Sequence, residues 1–227
     1  MFKIITTITC GVALLAACGN GDEPSSAPAP PTYSAEQLDA ALPGVDDVPG
    51  ATKVTRTCPG EEHCEDADAA VSVSMELRPG GTDEQAEAAA NEGFGDGLSL
   101  NAQQHPDEPA AEADIVKLRK IDEEQDGDFE VKPEDRKGPQ YTPGQRGTGS
   151  VADTRVDGWS GYAFAKTFAL LGLDGKEFSD RVEAQVAVSR GGTTVYCAVW
   201  ASAAGQDRAQ VLDRARTCVE KYLDELG

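Results

Sequence analysis

The sequence predicts an α+β domain: a twisted, largely antiparallel sheet with helices packed on one face. Three patterns predict it. Val182, Ala184, Val186 and Val188 alternate with polar residues before Gly191-Gly192, and Val195, Cys197, Val199 and Ala201 alternate after it. That is a tight hairpin with one apolar face, pairing Val188 with Val195, Val186 with Cys197, Ala184 with Val199 and Val182 with Ala201. Val71, Val73 and Met75 alternate with Ser72, Ser74 and Glu76, a second half-buried strand. Near the C-terminus, Val211, Leu212, Ala215, Cys218, Val219, Tyr222, Leu223 and Leu226 recur at helical spacing and form one apolar stripe.

The chain opens with Met1-Phe2-Lys3, an apolar run from Ile4 to Leu14 too short to span a bilayer, and then small residues before a cysteine. This is the layout of an export signal rather than a transmembrane anchor. Its ending, Leu15-Ala16-Ala17-Cys18, resembles the lipobox of bacterial lipoproteins. The resemblance implies a diacylglyceryl group on the Cys18 sulfur, cleavage before Cys18, and a domain held on the extracytoplasmic face of the cell membrane. Residues 19–32 are rich in Pro, Ser and Ala without apolar periodicity and read as a tether. The division expected is a signal over 1–17, a lipidated N-terminus and tether over 18–33, and one domain over 34–227.

Forty acidic against twenty basic residues give a net charge of −20 over 227 residues. Such a surface repels phosphate backbones, which argues against nucleic acid as a partner. With Cys10 in the signal and Cys18 lipidated, four of the six cysteines are left for the domain. In an oxidising compartment an even number implies disulfides, with three pairings possible. Local pairing, Cys58–Cys64 and Cys197–Cys218, is expected. Cys58 and Cys64 flank a Pro59-Gly60 turn, and Cys197 and Cys218 lie on the buried faces of hairpin and helix. A metal site at Cys58, His63 and Cys64 is the alternative, but it needs reduced thiols and a fourth ligand; no metal or cofactor is expected.

From the start of the domain, Ser34 with Gln37 has the capping-box form and predicts a short helix to about Leu42, stopped by Pro43-Gly44. A strand follows over 51–58 and another over 70–77. Thr82 caps a predicted helix over Asp83–Asn91, which the glycines of G-F-G-D-G end. Residues 98–113, polar and carrying His105-Pro106, read as a loop. Residues 114–121 and 129–132 read as a hairpin joined by D-E-E-Q-D-G-D. That connection resembles the first half of a calcium loop, but its twelfth position is Pro133, so a solvated acidic turn is the expectation. Pro133–Gly149, rich in Pro, Gly, Lys, Arg and Gln, reads as a mobile loop able to contact a partner. Trp159–Leu170 reads as a strand with Tyr162, Phe164 and Phe168 on one side, and Asp207 with Gln210 opens the last helix.

Signatures of chemistry are missing. Gly158-Trp159-Ser160-Gly161 has its second glycine one residue early for a nucleophile elbow, and neither a phosphate loop nor H-E-x-x-H occurs. The expectation is no enzyme and no catalytic residue, with a cell-wall hydrolase as the least favoured class.

Gly158-Trp159, the hairpin ending near Cys197 and the closing helix tied by a cysteine together resemble the extracellular sensor domain of PknH-type bacterial receptor kinases and their free-standing lipoprotein relatives. The resemblance covers residues 159–226 and implies an antiparallel sheet with helices and a ligand groove. It transfers no ligand residue. The expected function is a membrane-anchored, non-catalytic ligand-binding or sensing domain, with an interaction module of an envelope complex as the alternative. Trp159, Tyr162 and Trp200 are the aromatics expected at a pocket for a small ligand or envelope protein.

Overall fold

The computed structural model describes residues 31–57, 70–77, 95–134 and 142–227. Cys18 and its surroundings, Cys58, His63 and Cys64, the helix expected over Asp83–Asn91 and the middle of Pro133–Gly149 lie outside the described residues. Among the described residues, eight strands form a single sheet: β1 (Ala51–Thr57), β2 (Ala70–Leu77), β3 (Asp96–Gln104), β4 (Gly127–Val131), β5 (Gly144–Val156), β6 (Trp159–Leu171), β7 (Glu177–Arg190) and β8 (Thr193–Ser202). Their spatial order is β1-β2-β3-β8-β7-β6-β5-β4, and every neighbouring pair is antiparallel. The described residues also form three α-helices: α1 (Ala35–Ala40), α2 (Glu108–Glu123) and α3 (Arg208–Leu226).

The β7–β8 hairpin has the register expected from its valines, with all four pairs from Val188–Val195 to Val182–Ala201 in place. Gly191, at φ 56°, supplies the positive φ that the first central position of this two-residue turn requires. Its apolar face, fully buried at Val182, Val186, Val195 and Val199, meets Val211, Ala215 and Val219 of α3 in the main core. Leu98 and Leu100 of β3 and Leu38 of α1 extend that core, and the Tyr222 hydroxyl donates to the Leu38 carbonyl at 2.9 Å, tying α1 to α3. Both capping boxes form, Ser34 with Gln37 and Asp207 with Gln210.

Three stretches differ from expectation. Residues 98–113 are not a loop. Leu98, Leu100 and Ala102 alternate inward in β3, paired with β2 on one side and β8 on the other, and the helix then opens at an Asp107 cap whose side chain accepts from Ala110 N. Residues 114–121 are helix rather than strand. Ala111 and Ile115, one turn apart, are buried, and Ile115 packs with Tyr162, Phe164 and Ala187 on the sheet face opposite α3. The helices therefore divide between the two faces. The segment Pro133–Gly149 is strand from Gly144 onward, and its Arg146 is held in cross-strand ion pairs with Glu130 and Glu177.

Candidate functional site

The α3 face carries the cysteine pair. Cys197 points inward from β8 and is wholly buried, and Cys218 meets it from α3. Burial, and then the hydrogen bond with Cys218, push the Cys197 thiol well above its ordinary range. Both are free thiols here. The fold thus brings together the two cysteines expected to pair, without a covalent bond between them. Beside them opens a cleft of about 390 Å³ between α3, the 3₁₀ turn Val45–Asp47 with the residues that follow it, and the start of β3. Leu98 and Cys218 are the buried members of its wall and Val48 is half-buried, while Asp47, Asp213 and Lys221 are exposed around it.

The α2 face holds a buried polar network. Asp122, in the last turn of α2, accepts from the Tyr162 hydroxyl at 2.6 Å and from Gln185 Nε2, and Tyr196 donates to Gln185 Oε1 at 2.6 Å. Next to it, Lys166 reaches Glu183 at 3.1 Å, bonds to Gln125 and Gln145, and lies over the Phe168 ring. Desolvation raises the Asp122 carboxyl to about 6; Glu183 adds to this, while the Tyr162 bond and Lys166 oppose it. The folded state therefore favours the protonated acid. Its contribution is complete below the ordinary value of 3.8 and is lost as pH rises through about 6. Asp122→Asn is expected to remove this dependence. The stability difference between variant and wild type, followed by urea unfolding from pH 4 to 7, should move in favour of the variant by about 1–2 kcal/mol, a figure discounted for partial solvent screening.

The three aromatics singled out from sequence do not converge. Trp159 is 4% exposed within the α3-face core, and Tyr162 is fully buried in the Asp122 network. Trp200 alone reaches the surface, half-buried on the α2 side of the sheet. His105 Nε2 lies 3.1 Å from Thr194 Oγ1 and 3.7 Å from Asp114 Oδ2. Carboxylate and hydroxyl meet the same nitrogen, so the ring does not stand between an orienting acid and a nucleophile as in a hydrolase triad. Of the calcium-like turn, Asp122 is buried and committed to Tyr162 and Gln185, while Glu124, Asp126 and Asp128 are exposed, as expected of a solvated acidic turn, and Asp126 accepts from Val151 N. Among the described residues no three His, Cys, Asp or Glu side chains gather as a metal site, and none of their helices is long and apolar enough to cross a membrane.

The network and the cleft both escaped the sequence reading. The cleft draws on residues as far apart as Val48, Leu98 and Thr217, which no local pattern links. The network had one available signal: Asp122 continues the buried face of α2 after Ala111 and Ile115, but only once that segment is known to be helix.

No protein-family model matches the chain, and no curated protein matches it. Among solved structures it is similar to the extracellular domain of PknH from Mycobacterium tuberculosis, at 10% identity and a TM-score of 0.46, with 86% of this chain and 97% of that one covered.

Proposed function

We propose that the chain is a lipoprotein anchored through Cys18 to the extracytoplasmic face of the membrane, and that its domain binds a small ligand without performing chemistry. The cleft beside Cys218 carries this reading. Pockets for small molecules combine apolar walls with a few placed polar groups, and here Val48, Pro49 and Leu98 adjoin Asp47, Asp213, Arg214 and Lys221. A molecule with an apolar body and a polar end fits that arrangement, its body against Leu98 and Val48 and its polar end among the charges.

Two substitutions test the parts separately. Cells fed a labelled fatty acid are expected to label the wild type and not Cys18→Ala; a wild type without label would remove the lipid anchor. Thr217→Trp, at an exposed helical position on the cleft wall, should fill the cleft with little effect on stability. Organic extracts of the purified wild type should contain a compound that is missing from the variant's extract. Identical extracts would place any bound molecule elsewhere.

A further inference from the structure

Trp200 lies on a part of the sheet that the cleft does not touch. Its cross-strand neighbours on the same face are Gly97 on β3 and Glu183 on β7, with Glu76 of β2 beyond Gly97. A Cβ on Gly97 would stand 2.6 Å from Trp200 Cε2 and 2.8 Å from Nε1. The Cζ2–Cε2–Nε1 side of the indole therefore packs over the glycine, and the ring is half-buried there. A larger residue at 97 would displace the ring. Along the same face run Ser74, Ser99 and Asn101, with Asn101 donating to Ser99 at 3.3 Å. Tyr196 stands four residues before Trp200 on β8, about 13 Å away at strand rise. It opens into a groove of about 280 Å³ flanked by Asn101 and Leu118.

From this arrangement we infer a binding surface for a neutral glycan, with one pyranose ring stacked on the Trp200 indole and the chain running toward Tyr196 and Asn101. An indole packed over a glycine and partly open to solvent presents apolar surface to a sugar face, and the serine hydroxyls and asparagine amide beside it match sugar hydroxyls as donors and acceptors. Charge separates this ligand from a cation. Both carboxylates flanking the indole are compensated, Glu76 by Lys53 at 2.8 Å and Glu183 by Lys166 at 3.1 Å. In a chain of net charge −20 the surroundings of the indole are locally balanced, which suits an uncharged partner, and the carboxylate at the Tyr196 end of the strip is Asp114, 3.7 Å from His105 Nε2. Composition separates it from a protein partner, because a protein interface centres on a cluster of large apolar anchors, and here serine, glycine, alanine and asparagine surround a single indole.

The surface stands apart from the cleft beside Cys218, so either site can fail without the other. Trp159 is buried, so acrylamide quenching of the intact chain reports on Trp200. The probes are neutral hexasaccharides of β-1,4-glucan, α-1,4-glucan, β-1,4-mannan and β-1,4-galactan at about 10 mM, a concentration suited to a shallow site of modest affinity. At least one should protect Trp200 from quenching. Ser74→Arg, at an exposed position of the strip, keeps both the fold and the reporter while obstructing the strip, and should weaken that protection at least tenfold. Trp200→Ala should abolish retardation in affinity electrophoresis through the matching polysaccharide. Failure of all four sugars to protect, or protection unchanged in Ser74→Arg, overturns the proposal. Failure of the sugars combined with capture of a purified envelope protein that Ser74→Arg abolishes would reassign the surface to a protein partner.

Discussion

Oxidising Cys197 and Cys218 to a disulfide is expected to stabilise the domain by about 3 kcal/mol, because the bond would close a loop of about 20 residues and remove that freedom from the unfolded chain. The geometry favours the bond: the two thiols meet between β8 and α3, packed among the valines of the main core. Both sulfurs are buried, so once the bond forms an external thiolate reaches it slowly. Urea unfolding of protein exported to an oxidising compartment, with and without reductant, checks this. Reductant should lower the midpoint further in the wild type than in a Cys197→Ala, Cys218→Ala double variant, where only Cys58 and Cys64 are left to respond. An equal shift in the two proteins, together with Cys197 and Cys218 both labelled by a thiol reagent after unfolding, would mean that the pair stays reduced.

The second large effect is expected at Gly161. This residue sits in the middle of the sheet on β6, facing Val188 of β7, where the strands approach so closely that a Cβ would fall on the Ala187 carbonyl oxygen and 2.8 Å from Val188 Cα. The obstacle is backbone, which cannot move aside as a side-chain end can. Gly161→Val should therefore force β6 from β7 where the two strands pair, at a cost of about 3 kcal/mol or more. Thermal unfolding gives the test: a melting temperature lower by at least several degrees is expected, and an unchanged one would mean that the strands can separate locally at little cost.

Legibility in the sequence followed the strength of local pattern. The β7–β8 register was readable to the residue because alternation on both arms agreed with the Gly191-Gly192 turn. Helix α3 was readable because its stripe runs unbroken from Val211 to Leu223. Strand β3 was missed because only Leu98, Leu100 and Ala102 carry its alternation, between serine, asparagine and glutamine, and its partners β2 and β8 supply the rest. Helix α2 was misread because only V-K-L-R at its centre alternates like a strand, its apolar residues are few, and its inward stripe ends on an aspartate. Strand β5 begins in glycine-rich sequence that reads as loop, and it is held by thirteen pairings with β6. One cue was available there, Asp157-Gly158, whose φ values of 46° and 82° make the tight turn between β5 and β6. For the sites, the cysteine partners were legible from two buried stripes. The cleft and the packing of Trp200 over Gly97 were not, since both depend on residues that only the sheet order makes neighbours.

Native mass spectrometry of the chain, exported through an oxidising route and never denatured, asks whether the domain holds a small molecule in the cleft beside Cys218. A mass above that of the covalent chain, lost on unfolding and absent from Thr217→Trp, is expected. The mass of the covalent chain alone, in wild type and Thr217→Trp alike, would mean that the cleft holds nothing.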